Sequence, residues 1–332
     1  MRSKKTQTAM KRLLHAALAM VLVFSMVLGM IPMELTAQAA ATSGTVSCGV
    51  KFSKPAICCD AGETVDLTSC GVQFSASAVM TTSGIKWTYN GKTVTSFTPD
   101  SAGVYALTAT SGSNTKTIYV VAKHPDASEY VLYRNDFDSA VSDFRVVQAD
   151  QGGTASVSGG NYVLNGSGHS NAYVRVLLPA FLDAFGDVKM EASIYYPTAY
   201  SGTYWGSMMF RVQTNSNYYP YYQACMRYNM SASNSVELSL KNASNEWEVY
   251  KNSSFNYWNS DNYNVCRINV SGTEAVLNIN GYDVHTYNNV AYANGGLGFQ
   301  TRGAKVLVDY VKVTLEGNES NITSSDVSYL KP

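Results

Sequence analysis

Side chains with several hydrogen-bonding groups recur on three neighbouring segments, 207–213, 221–228 and 236–241. Each segment alternates apolar and polar residues, the period of a β-strand with two unlike faces. If the strands pair in chain order, one face gathers planar groups that suit hydroxyl-rich ligands. The candidate ligand-binding residues are Arg211, Gln213, Gln223, Arg227 and Glu237, with Tyr222 from the apolar alternation of the middle segment. An ordinary solvated sheet face is an equal alternative.

Aromatic residues are concentrated in the same region. Twelve of the 24 Tyr and three of the four Trp fall between positions 195 and 263. Large rings with a polar tip suit a surface that stacks on sugar rings or on another flat, polar partner. Some of these rings must belong to the core, but their number favours carbohydrate binding over a plain solvated face.

No set of catalytic residues accompanies the rings. His124, His169 and His285 are widely separated, and Glu246 with Glu248 is the nearest approach to a carboxylate pair. Glycoside hydrolysis needs two carboxylates placed on either side of the bond, and metal-dependent hydrolysis needs a ligand cluster. We therefore expect this chain not to be an enzyme.

A structural calcium ion is the one metal that the sequence suggests. Asp136 and Asp138 are two residues apart near the start of the second predicted domain, 128–316, and Asp309 lies on the last predicted strand. Calcium prefers several carboxylate and carbonyl oxygens. Solvated turns are the alternative, and no other cofactor is expected.

Residues 1–39 have the pattern of a signal peptide. Five basic residues precede an apolar run over 13–31, and Ala37-Gln38-Ala39 supplies a cleavage site. A retained membrane anchor is the alternative. Cleavage predicts a secreted, extracellular protein without a membrane segment, and attachment to the cell surface stays open.

The charge that remains after cleavage excludes some partners. Removing five basic residues and one acidic residue from totals of 24 and 24 leaves 19 and 23, a formal charge of −4. Nucleic acids and anionic lipids reward clustered Lys and Arg, so neither is an expected partner. Cys48, Cys58, Cys59 and Cys70 crowd the beginning, where they are predicted to be small buried residues or to form one bridge whose pairing is open.

Short alternating segments with frequent turn signals predict an all-β chain of sandwiches or barrels. The exception is 179–186, where Phe181, Leu182 and Phe185 predict one short helical turn. Residues 45–123 resemble a bacterial Ig-like domain: Trp87 has the place of the core tryptophan, and the segment from Asp100 to Tyr105 that of the tyrosine corner. Leu107 occupies the place of the second bridging cysteine. The resemblance implies a spacer that is dispensable for binding.

Residues 128–316 resemble a concanavalin A-like, laminin-G-like jelly roll. The resemblance rests on YVLYRNDFDS at 130–139, VLLPAFLDAFGDVKMEASI at 176–194, MMFRVQTNSNYYPYYQACMRYN at 208–229 and GGLGFQTRGAKVLVDYVKVTL at 295–315. The E-x-D-x-x-E strand of the glucanases with this fold is absent from the sequence. Residues 317–332 are rich in Ser and Asn and are predicted to be a linker.

The order of signal peptide, Ig-like domain and jelly roll resembles the N-terminal region of exported bacterial glycerophosphodiester phosphodiesterases. In those proteins the catalytic domain follows, and nothing like it is present in this sequence. The predicted function is that of an exported, non-catalytic carbohydrate-binding module on an Ig-like spacer, with a glycan or cell-wall polysaccharide as partner. The alternatives are the accessory region of a secreted phosphodiesterase, with the enzyme encoded beyond Pro332, and a structural or adhesive surface protein.

Overall fold

A computed structural model describes residues 56–72, 74, 81, 83–215 and 217–316. The predicted signal peptide, Cys48 and the predicted linker 317–332 lie outside the described residues. Nearly all the described elements are strands, joined by two short 3-10 helices at Leu67–Ser69 and Ala180–Ala184. The second of these confirms the helical turn predicted over 179–186. Neither turn, nor any other helix among the described residues, has the length and apolarity of a membrane span.

Among the described residues of the N-terminal part, 56–123, there are seven strands. They are β1 (Ala56–Asp60), β2 (Val65–Asp66), β3 (Lys86–Tyr89), β4 (Lys92–Val94), β5 (Ser96–Phe97), β6 (Gly103–Ser111) and β7 (Asn114–Lys123). Five of them form one sheet in the order β1-β7-β6-β3-β4, and β2 pairs with β5. Strand β1 runs parallel to β7, whereas the other neighbours in this sheet are antiparallel.

Two features of the N-terminal part follow its sequence pattern. Trp87 and Leu107 are buried in its core, as an inward-facing position on a strand requires. The Tyr105 hydroxyl lies 2.9 Å from Asp100 Oδ1 and 2.8 Å from the Ser101 carbonyl oxygen, and it can donate to either. Tyr105 thus connects strand β6 to the turn that precedes it. The Ig-like assignment of this part stays a prediction.

The rest of the described chain forms fifteen further strands. They are β8 (Val131–Asn135), β9 (Arg145–Ala149), β10 (Thr154–Ser158), β11 (Asn161–Asn165), β12 (Tyr173–Leu177), β13 (Val188–Ala199), β14 (Trp205–Val212), β15 (Tyr221–Arg227), β16 (Val236–Lys241), β17 (Trp247–Ser253), β18 (Asn264–Ser271), β19 (Glu274–Ile279), β20 (Tyr282–Tyr287), β21 (Gly296–Arg302) and β22 (Ala304–Leu315).

These strands form a sandwich of two antiparallel sheets. The eight-stranded sheet has the order β10-β11-β22-β13-β18-β19-β20, with β8 also paired to β22, and the seven-stranded sheet has the order β17-β16-β15-β14-β21-β12-β9. The predicted chain-order pairing of the three polar segments is confirmed by the neighbours β14, β15 and β16. The first and last strands of the predicted jelly roll also pair, with Val311 opposite Asn135.

One apolar core lies between the two sheets. The seven-stranded sheet contributes Phe210 and Tyr222, whose rings stack with their centroids 5.4 Å apart. The eight-stranded sheet contributes Ile268 and Val308 to the same core. All five described cysteines are buried, and burial raises the pKa of the Cys59 thiol to about 12, with Glu63 and Asp60 adding to the shift. These thiols pack as small core residues.

The same core extends into the N-terminal part. Ala56, Cys58 and Val121 belong to the apolar cluster of the sandwich. The Tyr119 ring lies 5.2 Å from the Phe185 ring beside the second 3-10 helix. The described residues of 56–123 are therefore joined to the sandwich by buried apolar contacts.

His285, on the edge strand β20 of the eight-stranded sheet, contacts β16 of the other sheet and should make stability depend on pH. Its Nε2 lies 3.2 Å from the Val236 carbonyl oxygen, and burial lowers the pKa of the imidazole, with a smaller opposite effect from that carbonyl. The unfolded chain, with an ordinary pKa of about 6.5, takes up the proton first as the pH falls. The stability that neutral His285 contributes is thus fully present above about pH 6.5, and it is lost as the pH falls through the lowered pKa of His285 in the folded protein.

Thermal unfolding at pH 7.5 and pH 5.5 tests this expectation. We expect His285→Gln, whose amide still donates to Val236 but does not titrate, to lose less melting temperature between the two pH values than the wild type. His124→Gln, which changes a largely exposed imidazole, is the control. Equal losses in all three proteins would contradict a role for His285.

Candidate functional site

The outer face of the seven-stranded sheet, defined as the face turned away from the eight-stranded sheet, carries buried polar side chains. Cross-strand partners lie on the same side of a sheet, so the register assigns residues to this face. Arg175 is opposite Gln300, Gln300 is opposite Ser207, and Gln223 is opposite Ser239. All five are more than nine-tenths buried.

Gln300 is at the centre of the hydrogen bonds on this face. Its Oε1 accepts from Tyr221 Oη at 2.8 Å and from Arg175 Nε at 3.1 Å. Because a guanidinium has no acceptor, the atom facing Arg175 must be the amide oxygen. The amide nitrogen of Gln300 therefore points elsewhere, and it is buried without a hydrogen-bond partner in the described part of the chain.

Two more buried polar atoms on the same face lack partners among the described residues. They are Ser207 Oγ and Gln223 Oε1, although Gln223 Nε2 does donate to Ser239 Oγ at 3.2 Å. Ser207 is the direct partner of Gln300, and Gln223 lies on the next strand. A buried polar group left unpaired costs about 1 to 3 kcal/mol. Ser207 Oγ can both donate and accept, Gln223 Oε1 can accept and Gln300 Nε2 can donate, so the outer face has hydrogen-bonding capacity that the described residues do not use.

Aromatic rings cover these polar atoms. Tyr219 stacks on Tyr221 at 5.8 Å, and the Trp247 ring lies edge-on 6.1 Å from both Tyr221 and Trp205. Tyr173 extends the cluster, with its ring 6.2 Å from Trp205. Trp247 keeps 38% of its surface exposed, whereas Trp205 keeps 7%. The arrangement is a ring-lined surface above a polar floor.

Cations alternate with these rings. The Arg175 guanidinium lies 4.9 Å from the centres of both Tyr219 and Tyr221, and Lys241 Nζ lies 4.6 Å from the centre of the Trp247 ring. At the other end of the cluster, the Arg302 guanidinium lies 5.3 Å from the Tyr173 ring. The outer face therefore combines π-faces, hydrogen-bonding groups and positive charge.

Arg211 does not lie on the outer face, and its predicted position is wrong. The register of β14 shifts between Met209 and Val212, and Arg211 has a positive φ of 50°. This bulge turns the side chain into the sandwich, where Nη2 lies 3.3 Å from Asp187 Oδ1. The guanidinium also donates to the carbonyl oxygens of Gly186, Gly272 and Tyr292. A β-bulge adds one residue to a strand and so reverses the faces beyond it.

Tyr222 also lies inside the sandwich, so the structure corrects its inclusion in a ligand-binding set. It is 2% exposed, and its hydroxyl oxygen accepts from the Ala291 backbone N–H at 2.9 Å. Gln213 lies at the end of β14, where its Nε2 donates to the carbonyl oxygens of Arg211 and Asn294.

The remaining three predicted residues do lie on the outer face. Gln223 forms part of the polar floor. Arg227 and Glu237 pair with each other at 2.6 Å, and Arg227 also donates to the carbonyl oxygens of Asn234 and Thr203. Both partners of this ion pair are thus used within the protein.

The three predicted calcium ligands are not brought together. Asp136 pairs with Arg134 at 2.8 Å, and Asp138 and Asp309 are exposed. Among the described residues, no group of three His, Cys, Asp or Glu side chains is arranged to hold a metal ion.

Sequence reasoning missed Arg175, Gln300 and Arg302, although a signal for them exists. Residues 173–177 and 296–302 show the same alternation as the three segments that were recognised, with Arg175 and Gln300 at polar alternates. The alternation does not show which strands are paired in the sheet. Arg175 and Gln300 are 125 positions apart, and only the fold makes them neighbours.

No protein-family model matches the chain, and no curated protein matches it. Solved structures that are similar to it include the carbohydrate-binding module CBM66 from Bacillus subtilis, at 15% identity and a TM-score of 0.39 over 50% of this chain and 92% of that one. A protein of unknown function with a galectin-like fold, also from Bacillus subtilis, has 14% identity and a TM-score of 0.43 over 56% and 96%. The catalytic domain of an endo-1,3-beta-glucanase from Thermotoga petrophila has 11% identity and a TM-score of 0.40 over 57% and 98%.

Proposed function

We propose that this chain is an exported, non-catalytic carbohydrate-binding protein whose glycan lies on the outer face of the seven-stranded sheet. The observation that carries the proposal is the ring-lined polar floor around Gln300. Sugar rings present apolar C–H faces that stack on aromatic side chains and hydroxyls that donate and accept hydrogen bonds. The outer face offers both in one place, and three of its buried polar atoms lack partners in the described part of the chain.

Trp247 is the side chain that a ligand must meet first. It lies on β17, an edge strand that pairs only with β16, and it is the most exposed ring of the cluster. Its ring contacts Trp205 and Tyr221, and the Tyr221 hydroxyl donates to Gln300. We therefore expect a sugar bound near Gln300 to stack on the Trp247 ring.

The placement of carboxylates supports binding without hydrolysis. Within the strands of the seven-stranded sheet the carboxylates are Glu237 and Glu248. Glu248 is the partner of Leu240 and bonds with Tyr250 Oη, so it lies on the side opposite to Glu237. A glycosidase needs two carboxyl groups on either side of one bond. Glu237 is in addition paired with Arg227.

A glycan array followed by calorimetric titration tests the proposal. We expect Trp247→Ala to weaken binding of the best glycan at least tenfold, about 1.4 kcal/mol or more, because a large aromatic ring that stacks on the ligand contributes disproportionately to binding. Tyr257→Ala is the matched control, since Tyr257 is 60% exposed and contacts Phe255 and Tyr282 rather than the outer face. Equal losses in the two variants, or no binding to any glycan by the wild type, would overturn the proposal.

A further inference from the structure

Three cations on the outer face lack a carboxylate partner in the described part of the chain. Arg175 donates to Gln300 Oε1 and Tyr219 Oη, Arg302 to the Ser170 carbonyl oxygen and Asn171 Oδ1, and Lys241 to the Asn245 carbonyl oxygen. Every one of these acceptors is neutral. Within the described part of the chain, the protein therefore offers these cations only π-faces and neutral dipoles.

Most other cations of the sandwich are neutralised by an acid. These pairs are Arg134 with Asp136, Arg145 with Asp183, Arg211 with Asp187, Arg227 with Glu237, Arg267 with Glu191, and both Lys189 and Lys312 with Glu129. The contrast makes the outer face a local concentration of positive charge on a chain whose predicted mature form has a formal charge of −4. A partly buried positive surface attracts anions more strongly than an exposed one.

Arg175 and Lys241 also act on each other. Burial lowers the pKa of Lys241, and the charge of Arg175 lowers it further, while Glu246 acts in the opposite direction without forming an ion pair. The ring contacts place both cations around one pair of side chains, because Arg175 lies over Tyr221, Lys241 lies over Trp247, and these two rings touch. Two like charges beside the same rings are a cost that a bound anion would remove.

Arg175 is in addition poised to donate. It is 4% exposed, and its terminal nitrogen Nη1 makes no hydrogen bond with the described residues. A guanidinium is flat and presents paired donors that match the two oxygens of a carboxylate. The unpaired Gln300 Nε2 is a further donor beside it.

We propose that the glycan bound at the outer face is acidic and carries carboxylate groups, as a uronic acid does, which Arg175 and Lys241 recognise. The inference rests on the proposed function and deepens it. The rings bind the sugar faces, the polar floor binds hydroxyls, and the cations select the charged polymer over its neutral counterpart. Selectivity of this kind comes from a difference in affinity between two ligands that share the same sugar rings.

The test compares each acidic polymer with its own neutral form. The full chain is titrated with polygalacturonate, alginate and hyaluronan, and with the same polymers after reduction of their carboxyl groups to alcohols. We expect at least one acidic polymer to bind tenfold or more tightly than its reduced form, with an affinity that falls as salt is raised from 50 to 500 mM. Heparin and a panel of neutral polysaccharides are titrated in parallel.

Two variants connect that selectivity to the outer face. Lys241→Gln is expected to weaken binding of the acidic polymer at least fivefold more than it weakens binding of the reduced polymer. Lys305→Gln, on β22 of the other sheet, is the control and should change neither. Melting temperatures establish that both variants are folded. A third variant, Arg175→Lys, keeps the charge but not the paired donors of the guanidinium. Its affinity for the acidic polymer should lie between those of the wild type and Lys241→Gln.

The outcomes separate the two proposals. Equal binding of acidic and reduced polymers, or binding of neutral polysaccharides alone, overturns the acidic-glycan inference and leaves the proposed function intact. Binding of heparin without binding of polygalacturonate, alginate or hyaluronan also overturns it, because recognition would then require the sulfate groups of heparin rather than carboxylates. No binding to any polymer overturns both.

Discussion

Arg211→Ala is expected to lower the free energy of unfolding by about 3 to 5 kcal/mol, the usual result of removing one partner of a buried ion pair. The substitution leaves Asp187 without its cation in a buried place, where burial already raises the pKa of the carboxyl group. It also removes the donor of three backbone carbonyl oxygens at the end of the sandwich. Urea unfolding followed by tryptophan fluorescence measures the change.

The matched control for Arg211→Ala is Arg134→Ala. Arg134 and Asp136 form an ion pair at 2.8 Å in which both side chains are about half exposed. Exposed pairs contribute about 0 to 1 kcal/mol, so this variant should unfold close to the wild-type midpoint. Equal losses of unfolding free energy in the two variants would contradict the expectation that the buried Arg211–Asp187 pair contributes more to stability than the exposed pair.

Removal of residues 1–126 is expected to destabilise the sandwich by several kcal/mol. The deletion uncovers apolar side chains that Ala56, Cys58, Val121 and Tyr119 cover, among them Phe185. Exposure of one large buried side chain costs about 1.5 to 3 kcal/mol. Differential scanning calorimetry of the truncated and full chains measures the loss. A truncated chain with an unchanged melting temperature would show that the two parts are energetically independent.

A single substitution in the full chain tests the same contact without a deletion. Tyr119→Ala removes the ring that lies against Phe185, whereas Tyr119→Phe keeps it. We expect the first to lower the melting temperature and the second to leave it nearly unchanged. None of the outer-face contacts includes a described residue from 56–123, so the glycan affinity that we propose for this face should survive both changes at temperatures where the protein is folded.

The sequence predicted the parts of this fold that depend on local pattern. Alternation gave the strands, and it correctly placed Gln223 and Glu237 on one face because their strands are regular there. The prediction for Arg211 is wrong because a bulge leaves no periodic pattern in the sequence. The bulge lies between Met209 and Val212, so the alternation of faces that holds up to Met209 no longer holds at Arg211. The bulge also depends on Gly295: a Cβ at that residue would lie 2.7 Å from the Arg211 carbonyl carbon, so the bulge requires a glycine just before the neighbouring strand β21.

The centre of the candidate site was beyond such reasoning for a different reason. Gln300 lies between Arg175 on β12 and Ser207 on β14, and the three residues come from distant parts of the chain. Their separate alternations say which face each takes, but not that their strands are neighbours. Only the order of strands in the sheet supplies that information.

The parallel pairing of β1 with β7 has a mechanical consequence. Its five residue pairs run from Ala56 opposite Tyr119 to Asp60 opposite Lys123. Tension applied at the N-terminal end of β1, and resisted at the C-terminal end of β7 where the chain enters the sandwich, pulls the two strands in opposite directions along their length. The interstrand hydrogen bonds, evenly spaced in a parallel pair, are then loaded together rather than opened one after another. A chain held at its N-terminal side while its other end grips an immobile polymer would thus carry the load in shear.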